Sequence, residues 1–210
     1  AGSQIITTNT YASSRIMLKS AGFEKRFEEV NLKAVNSALK AREETGYKDV
    51  IIAGSISHRY PIADGDTKSN ASIQVSKLEL QEATEEMALL LTNNGCDIIL
   101  LEMMYRPERM KIIFDIVKKL NIPIWVCFSC RKSDKGEILS LTDETVVPFS
   151  EMIAISKEYN FDAWGIMHTS EDILGECIKM IKANFNGPIL SYPDTGGWIS
   201  PNWIFDSIIE

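Results

Sequence analysis

The sequence predicts an α/β fold in which parallel strands alternate with helices. Short apolar runs of strand length are separated by longer segments whose apolar residues recur at helical spacing. The connections between the runs are long enough for parallel pairing. About six strands are expected. This number fits a (β/α)8 TIM barrel, commonly of ~250 residues, whose first βα unit and last strand are missing from this chain.

A doubly wound open sheet is the alternative fold. It is disfavoured because no glycine-rich phosphate loop follows the first strand. The predicted strands are residues 4–8, 49–54, 96–102, 123–128, 163–167 and 188–192. The predicted helices are residues 24–44, 76–93, 107–120, a segment ending at 159, and 171–185. Gly46 ends the first helix and Pro107 begins the third, as is usual for these residue types.

Composition and charge restrict the class of protein. The chain has 210 residues, a net charge of −7 and no membrane-length apolar run, and residues 1–210 are expected to form one barrel domain. Clustered Lys and Arg are lacking, which disfavours nucleic acid as a partner. No leader sequence is evident, so a cytoplasmic location is expected. Because the chain begins without Met and stops just after an amphipathic stretch has begun, we expect a fragment lacking both ends.

One buried strand is expected to end in a carboxylate. Residues 96–102 contain four consecutive aliphatic residues followed by Glu102, which is typical of a parallel strand covered on both faces. The carboxyl end of such a strand is where barrels and open α/β sheets bind ligands. Glu102 is therefore a candidate ligand-binding residue. The alternatives are a solvated loop position or an ion pair with Arg106 or Arg109.

Polar residues also follow the other predicted strands. In a parallel barrel these strand ends converge on one mouth, where hydroxyls, an amide, carboxylates and an imidazole would form a small polar site. Such a site suits a zwitterionic ligand or a metal. The strand-end residues are Thr7 to Thr10, Gly54 and Ser55, Glu102, Ser129, His168 and Thr169, and Tyr192 to Asp194.

The two histidines and a C-x-x-C sequence are further candidates. His168 is expected to be a hydrogen-bonded rim residue, a base or a metal ligand. His58, in the long polar stretch 55–76, is expected to be exposed. Cys127 and Cys130 lie three residues apart, so in a strand they point to opposite faces, and a redox or zinc role is disfavoured.

The strand-end motifs together resemble one family. The chain is similar over nearly all its length to the homocysteine S-methyltransferase family, whose members are zinc-dependent thiol methyltransferases with a (β/α)8 barrel. The position of His168 departs from the family pattern Gly-Val-Asn-Cys, since this chain has Gly-Ile-Met-His. The resembling stretches are residues 5–13, 53–56, 64–65, 95–102, 125–129 and 192–196.

The resemblance implies a function and a set of roles. It implies methyl transfer from a small sulfonium, ammonium or corrinoid donor to the zinc-bound thiolate of homocysteine, giving methionine. Glu102 matches the family glutamate that holds the homocysteine amino group. His168 would be a zinc ligand in place of a cysteine, and the adjacent cysteine pair of the family would lie beyond residue 210. The remaining residues expected to bind substrate are Thr8, Asn9, Thr10, Ser55 and Ser129.

Two other functions stay open at this point. A zinc-free barrel of the same ancestry would bind an amino acid or small thiol through Glu102 and the Thr8 to Thr10 loop, with different or no chemistry. A lyase or phosphate-binding barrel with His168 as base is the weaker alternative, because no phosphate cradle is evident. On the first hypothesis the chain by itself lacks two zinc ligands and is expected to be inactive. The methyl donor and the oligomeric state are not indicated by the sequence.

Overall fold

Six parallel strands form one curled sheet, a half-barrel with helices on its outer face. The computed structural model describes residues 2–59, 75–141 and 145–194, and the backbone of residues 197–199 and 202–204. The strands lie across the sheet in the order in which they occur along the chain, and every neighbouring pair is parallel. The α/β class and the six-stranded parallel sheet expected from the sequence are confirmed.

The strands of the sheet are β1 (Ile5–Thr7), β2 (Ile51–Ser57), β3 (Ile98–Met104), β4 (Ile124–Phe128), β7 (Ala163–Ser170) and β8 (Ile189–Asp194). Two short antiparallel pairs lie outside it: β5 (Cys130–Lys132) with β6 (Ile138–Ser140), and β9 (Gly197–Ile199) with β10 (Asn202–Ile204). The helices are α1 (Arg15–Ser20), α2 (Phe27–Thr45), α3 (Lys77–Asn93), α4 (Pro107–Val117), α5 (Phe149–Ser156) and α6 (Glu171–Lys182). A 3-10 turn, Glu24–Arg26, precedes α2.

Alternate residues of the strands enter two separate apolar clusters. Outward-facing side chains pack under the helices in a large core that includes Ile52, Ile99 and Val126. Inward-facing side chains form a smaller cluster on the concave face, made of Ala53, Ile98, Leu100, Cys127 and Met167. Because both faces are covered, the strands appear in the sequence as continuous apolar runs.

Local sequence explains where three helices begin or end. Ser76 and Glu79 form a reciprocal capping box at the start of α3, and Pro107 occupies the first turn of α4. Gly46 ends α2 with a φ of 71°, a left-handed conformation that glycine adopts at little cost. These boundaries agree with the sequence predictions to within a few residues.

The structure adds a hairpin where the sequence predicted only a polar loop. Strands β5 and β6 lie between residues 129 and 147, directly after β4. Each strand has three residues, which is too short for alternation to be recognised. The predicted loop 55–76 begins with strand residues up to Ser57, and residues 60–74 lie outside the described part. Among the described helices, none is long and apolar enough to cross a membrane.

Candidate functional site

The carboxyl ends of the parallel strands meet at one edge of the half-barrel. Ser57 of β2 lies beside Glu102 of β3 in the sheet register. Farther along the same edge, Ser170 of β7 pairs with Asp194 of β8. At these two places, polar residues near the carboxyl ends of neighbouring strands are therefore adjacent in the sheet.

Glu102 is buried at this edge on the concave face. Only 8% of the residue is exposed, and no ion pair joins it to a Lys or Arg among the described residues. Burial raises the pKa of the Glu102 carboxyl, while the nearby Ser55 hydroxyl and the charge of His168 partly oppose that rise. Ser55 is close to the carboxyl but makes no hydrogen bond of normal geometry with it. The expected alternative, an ion pair with Arg106 or Arg109, is therefore not observed.

Two serine hydroxyls at the same edge have no partner. Ser55 and Ser129 are both fully buried, and their Oγ atoms form no hydrogen bond in the described structure. A buried hydroxyl without a partner loses its hydrogen bonds to water, which costs roughly 1–3 kcal/mol. Such groups are usually explained by a ligand or an ordered water.

The threonines after β1 use their hydroxyls within the protein. Thr8 Oγ1 lies 2.8 Å from Thr10 Oγ1, and Thr10 Oγ1 donates to the Ser55 carbonyl at 2.8 Å. The Ser55 N–H in turn donates to Thr8 Oγ1 at 3.2 Å. Asn9 between them is exposed. The two threonines thus attach the first loop to β2, and a direct contact of this loop with substrate stays a prediction.

His168 lies at the end of β7 with one ring nitrogen in use. Its Nδ1 is 2.9 Å from Asp194 Oδ1, and 39% of the imidazole side chain is exposed. The residue has a φ of 41°, and the pairing of β7 with β8 changes register between Met167 and Ser170. A non-glycine residue in this left-handed region costs of order 1–3 kcal/mol and is found where the surrounding structure enforces it, often at functional sites.

The described residues fit one zinc ligand but not a complete zinc site. A histidine whose Nδ1 is held by a carboxylate, leaving Nε2 for a metal, is common in zinc proteins. However, no group of three His, Cys, Asp or Glu side chains that could hold a metal occurs among the described residues. The four cysteines are free thiols and all are buried. Burial raises the pKa of Cys127 to about 12, so its thiol stays protonated.

Sulfur and phenol groups line the concave face next to Glu102. Met167 Sδ accepts a hydrogen bond from the Met103 N–H at 3.1 Å and from the Tyr192 O–H at 3.4 Å. Burial of the hydroxyl end near Cys127 and Glu102 raises the pKa of Tyr192, although 36% of this residue is exposed. Nothing in the sequence around Met103 and Met167 indicated that these methionines would line the site.

His58 is not exposed, contrary to the sequence prediction. It is fully buried after β2, and its ring centroid lies 4.5 Å from that of Tyr105. Neither ring nitrogen has a hydrogen-bond partner in the part of the chain that the structure describes. Burial, with the positive charges of Arg109 and Arg106, places the pKa of His58 well below its usual value. The polar residues around it in the sequence suggested a solvated loop, whereas β2 continues to Ser57 and carries His58 into the interior.

The two thiols of the C-x-x-C sequence lie on opposite faces, as predicted. Cys127 belongs to the concave cluster, and Cys130 belongs to the outer core together with Cys177. Burial beside Cys177 raises the pKa of Cys130. The two thiols thus face different apolar clusters, and the absence of a redox or zinc role for them stays a prediction.

Comparison with known proteins identifies related sequences and structures. Residues 1–207 match the family described as homocysteine S-methyltransferase. No curated protein sequence matches the chain. Among solved structures, the metallated form of the homocysteine methyltransferase MmuM from Escherichia coli has a TM-score of 0.75 at 20% identity, covering 93% of this chain and 68% of that one.

Two further structures extend this comparison. The oxidised form of MmuM has a TM-score of 0.73 at 20% identity, covering 92% of this chain and 66% of that one. A type I 3-dehydroquinate dehydratase from Clostridium difficile has a TM-score of 0.50 at 15% identity, covering 93% and 66%. The chain thus spans about two thirds of the length of each of these proteins. At these identities the similarity establishes a shared fold.

Proposed function

The chain belongs to the homocysteine S-methyltransferase family, a family of methyltransferase enzymes, and we propose that it acts in methyl transfer to the thiol of homocysteine, giving methionine. The donor would be a small sulfonium, ammonium or corrinoid compound. The observation that carries the proposal is the buried Glu102 carboxylate, which has no Lys or Arg partner among the described residues.

Glu102 would bind the ammonium group of homocysteine. A buried carboxylate without a cation is costly, and an ammonium ion in contact with it would remove that cost through a charge-assisted hydrogen bond. The same contact would lower the pKa of Glu102 from its raised value, because a positive neighbour favours the charged form. Binding of the amino acid and ionisation of Glu102 are therefore expected to be coupled.

The unpartnered serine hydroxyls would complete the amino acid site. Ser55 and Ser129 flank Glu102 along the strand-end edge, and each can donate to a carboxylate oxygen. The Thr8 to Thr10 loop would close one side of the site, with the exposed Asn9 amide as its free polar group. These roles follow from the positions of the residues.

His168 would supply one ligand of a zinc ion through Nε2. When bound, zinc would hold the homocysteine sulfur as a thiolate, the form that attacks a methyl group. The protein's own contribution at this point is the fixed orientation of the imidazole, through Asp194. The further ligands would come from outside the described residues.

The six strands of the sheet would be strands two to seven of an eight-stranded barrel. Residues 1–210 would all belong to this one barrel domain. The cytoplasmic location stays a prediction.

A zinc-free barrel of the same family is the second candidate. The histidine at position 168, where the family resemblance leads us to expect a cysteine, supports it. Such a protein would still bind an amino acid or small thiol through Glu102, and its chemistry would differ or be absent.

The amino acid site is tested by calorimetric titration with two ligands. L-homocysteine is compared with 4-mercaptobutyrate, which lacks only the amino group. The wild type should bind L-homocysteine about 10- to 100-fold more tightly, as expected for one charge-assisted hydrogen bond. Glu102→Gln should lose this preference, and Glu108→Gln, at an exposed position of α4, should keep it. Equal affinity of the wild type for both ligands would refute the assignment of Glu102.

The metal is tested by zinc analysis and methionine formation in a longer form of the protein that includes the further zinc ligands, as the wild type, His168→Cys and His168→Ala. Zinc near one per chain in the wild type and in His168→Cys, with little in His168→Ala, would support the first candidate. Zinc bound only by His168→Cys would favour the zinc-free barrel.

A further inference from the structure

The two nitrogens of the His168 imidazole have different surroundings. Nδ1 lies 2.9 Å from Asp194 Oδ1, a contact between the ends of two neighbouring strands, β7 and β8. An ionised carboxylate only accepts hydrogen bonds, so Nδ1 must carry the proton. In the neutral ring Nε2 is then the nitrogen with a free lone pair.

The backbone on which His168 sits is fixed independently of Asp194. Thr169, only 1% exposed, donates through Oγ1 to the Met167 carbonyl at 2.8 Å. The same Oγ1 accepts from the Cys130 N–H at 3.0 Å, which joins β7 to the start of β5. Both hydrogen bonds lie within the register shift of β7, next to the left-handed His168, and so restrain the backbone there. The orientation of the imidazole thus depends on β7, which carries it, and on contacts with β5 and β8.

We propose that Asp194 is a positioning residue that holds His168 in the Nδ1–H tautomer, so that Nε2 is the atom presented to the site. The sequence placed Asp194 only among the polar strand-end residues and did not pair it with His168, which is 26 residues away along the chain. What Nε2 meets, a metal ion or a thiol, rests on the proposed function. The tautomer itself does not, because it is a property of the protein without ligand.

Nitrogen NMR of the protein labelled with ¹⁵N-histidine tests the tautomer directly. The chain has two histidines, so two imidazoles are observed, and His168→Ala assigns them. At about pH 8.5, above the ordinary imidazole pKa, long-range ¹H–¹⁵N correlation distinguishes protonated from unprotonated ring nitrogens. We expect Nδ1 of His168 to be protonated and Nε2 to be unprotonated in the wild type.

Two variants separate positioning from folding. Asp194→Ala should shift His168 towards the Nε2–H tautomer, which free imidazole side chains favour in water. Asp194→Asn should retain the Nδ1–H tautomer, because its amide oxygen still accepts the hydrogen bond. The buried His58 serves as an internal control, since its resonances should not move when the fold is intact.

The outcomes are distinguishable from those of the proposed function. A wild-type His168 in the Nε2–H tautomer would overturn the inference, even if no Asp194 variant folds. An unchanged tautomer in a folded Asp194→Ala would also overturn it. Neither result depends on homocysteine affinity or methionine formation, and failure of those assays would leave the tautomer result standing.

Discussion

The two histidines follow parallel strands at the same edge of the sheet, yet they have opposite environments. His58, after β2, is fully buried, and its ring lies against that of Tyr105 at an angle of 57° without a hydrogen bond to either ring nitrogen in the described structure. His168, in β7, is partly exposed and bonded to Asp194. The comparison indicates what a strand-end histidine needs for a chemical role. A neighbouring group must orient the ring, and one ring nitrogen must stay accessible.

Their electrostatic surroundings differ in the same sense. Arg109 donates through Nη1 to the His58 carbonyl at 3.3 Å, so a cation lies next to this histidine. Together with burial, that cation keeps His58 neutral. His168 instead faces two carboxylates, Asp194 and Glu102. We therefore propose a structural role for His58 and a functional role for His168.

The largest expected effect is loss of turnover in His168→Ala. In a form of the protein that includes the further zinc ligands, removing the imidazole should lower methionine formation by at least about 100-fold, because a ligand or base is lost. Since the side chain is partly exposed, the midpoint of urea unfolding should change little. If His168→Ala retained activity, the proposal that His168 is functional and His58 structural would be wrong.

Next in size is the effect of Gly165→Ala, in the strand that carries His168. An added Cβ would lie 2.7 Å from Cys127 Sγ and 2.9 Å from Leu190 Cβ, so β8 must move. Overpacking of this kind typically costs about 1–3 kcal/mol in the free energy of unfolding. Gly175→Ala in α6 is the control, because no atom lies within 4 Å of its added Cβ. It should stabilise by about 0.5–1 kcal/mol, and equal effects would contradict the tight fit of β7 against β8.

Thr169→Val should have a smaller effect on the same strand end. The substitution keeps the shape of the side chain but leaves the Cys130 N–H without its acceptor. We expect a loss of about 1–2 kcal/mol in urea unfolding and a fall in turnover through a misplaced His168. If turnover per folded molecule is unchanged, the hydrogen bonds of the Thr169 hydroxyl do not position the imidazole.

The smallest effect concerns the pH dependence that His58 contributes. Its pKa is lowered in the folded state, so below about pH 6.5 the unfolded chain binds one more proton than the folded chain. Stability therefore falls as the pH falls, by at most about 1.4 kcal/mol per pH unit from this residue. His58→Leu should remove that slope between pH 5 and 6.5, whereas His168→Ala should retain it. Urea unfolding at several pH values measures both, and an unchanged slope in His58→Leu would place its origin elsewhere.

Local sequence information predicted the position of Glu102 but not its role. The residue follows an unbroken aliphatic run, and the structure buries it near the carboxyl end of β3, while its part in ligand binding stays a prediction. His58 was misplaced because polar neighbours such as Arg59 made the stretch look solvated. In the structure its ring lies against Tyr105, a residue 47 positions further along the chain, which a local pattern does not reveal.

The order of strands and helices, and the helix boundaries at Ser76, Pro107 and Gly46, can be predicted from local sequence. These features depend on periodicity and on backbone preferences within a few residues. The burial of His58 and the hydrogen bond between His168 and Asp194 arise from the folded arrangement of distant segments. Those outcomes depend on contacts between residues far apart in the chain and on a register shift in β7, which local sequence patterns do not encode.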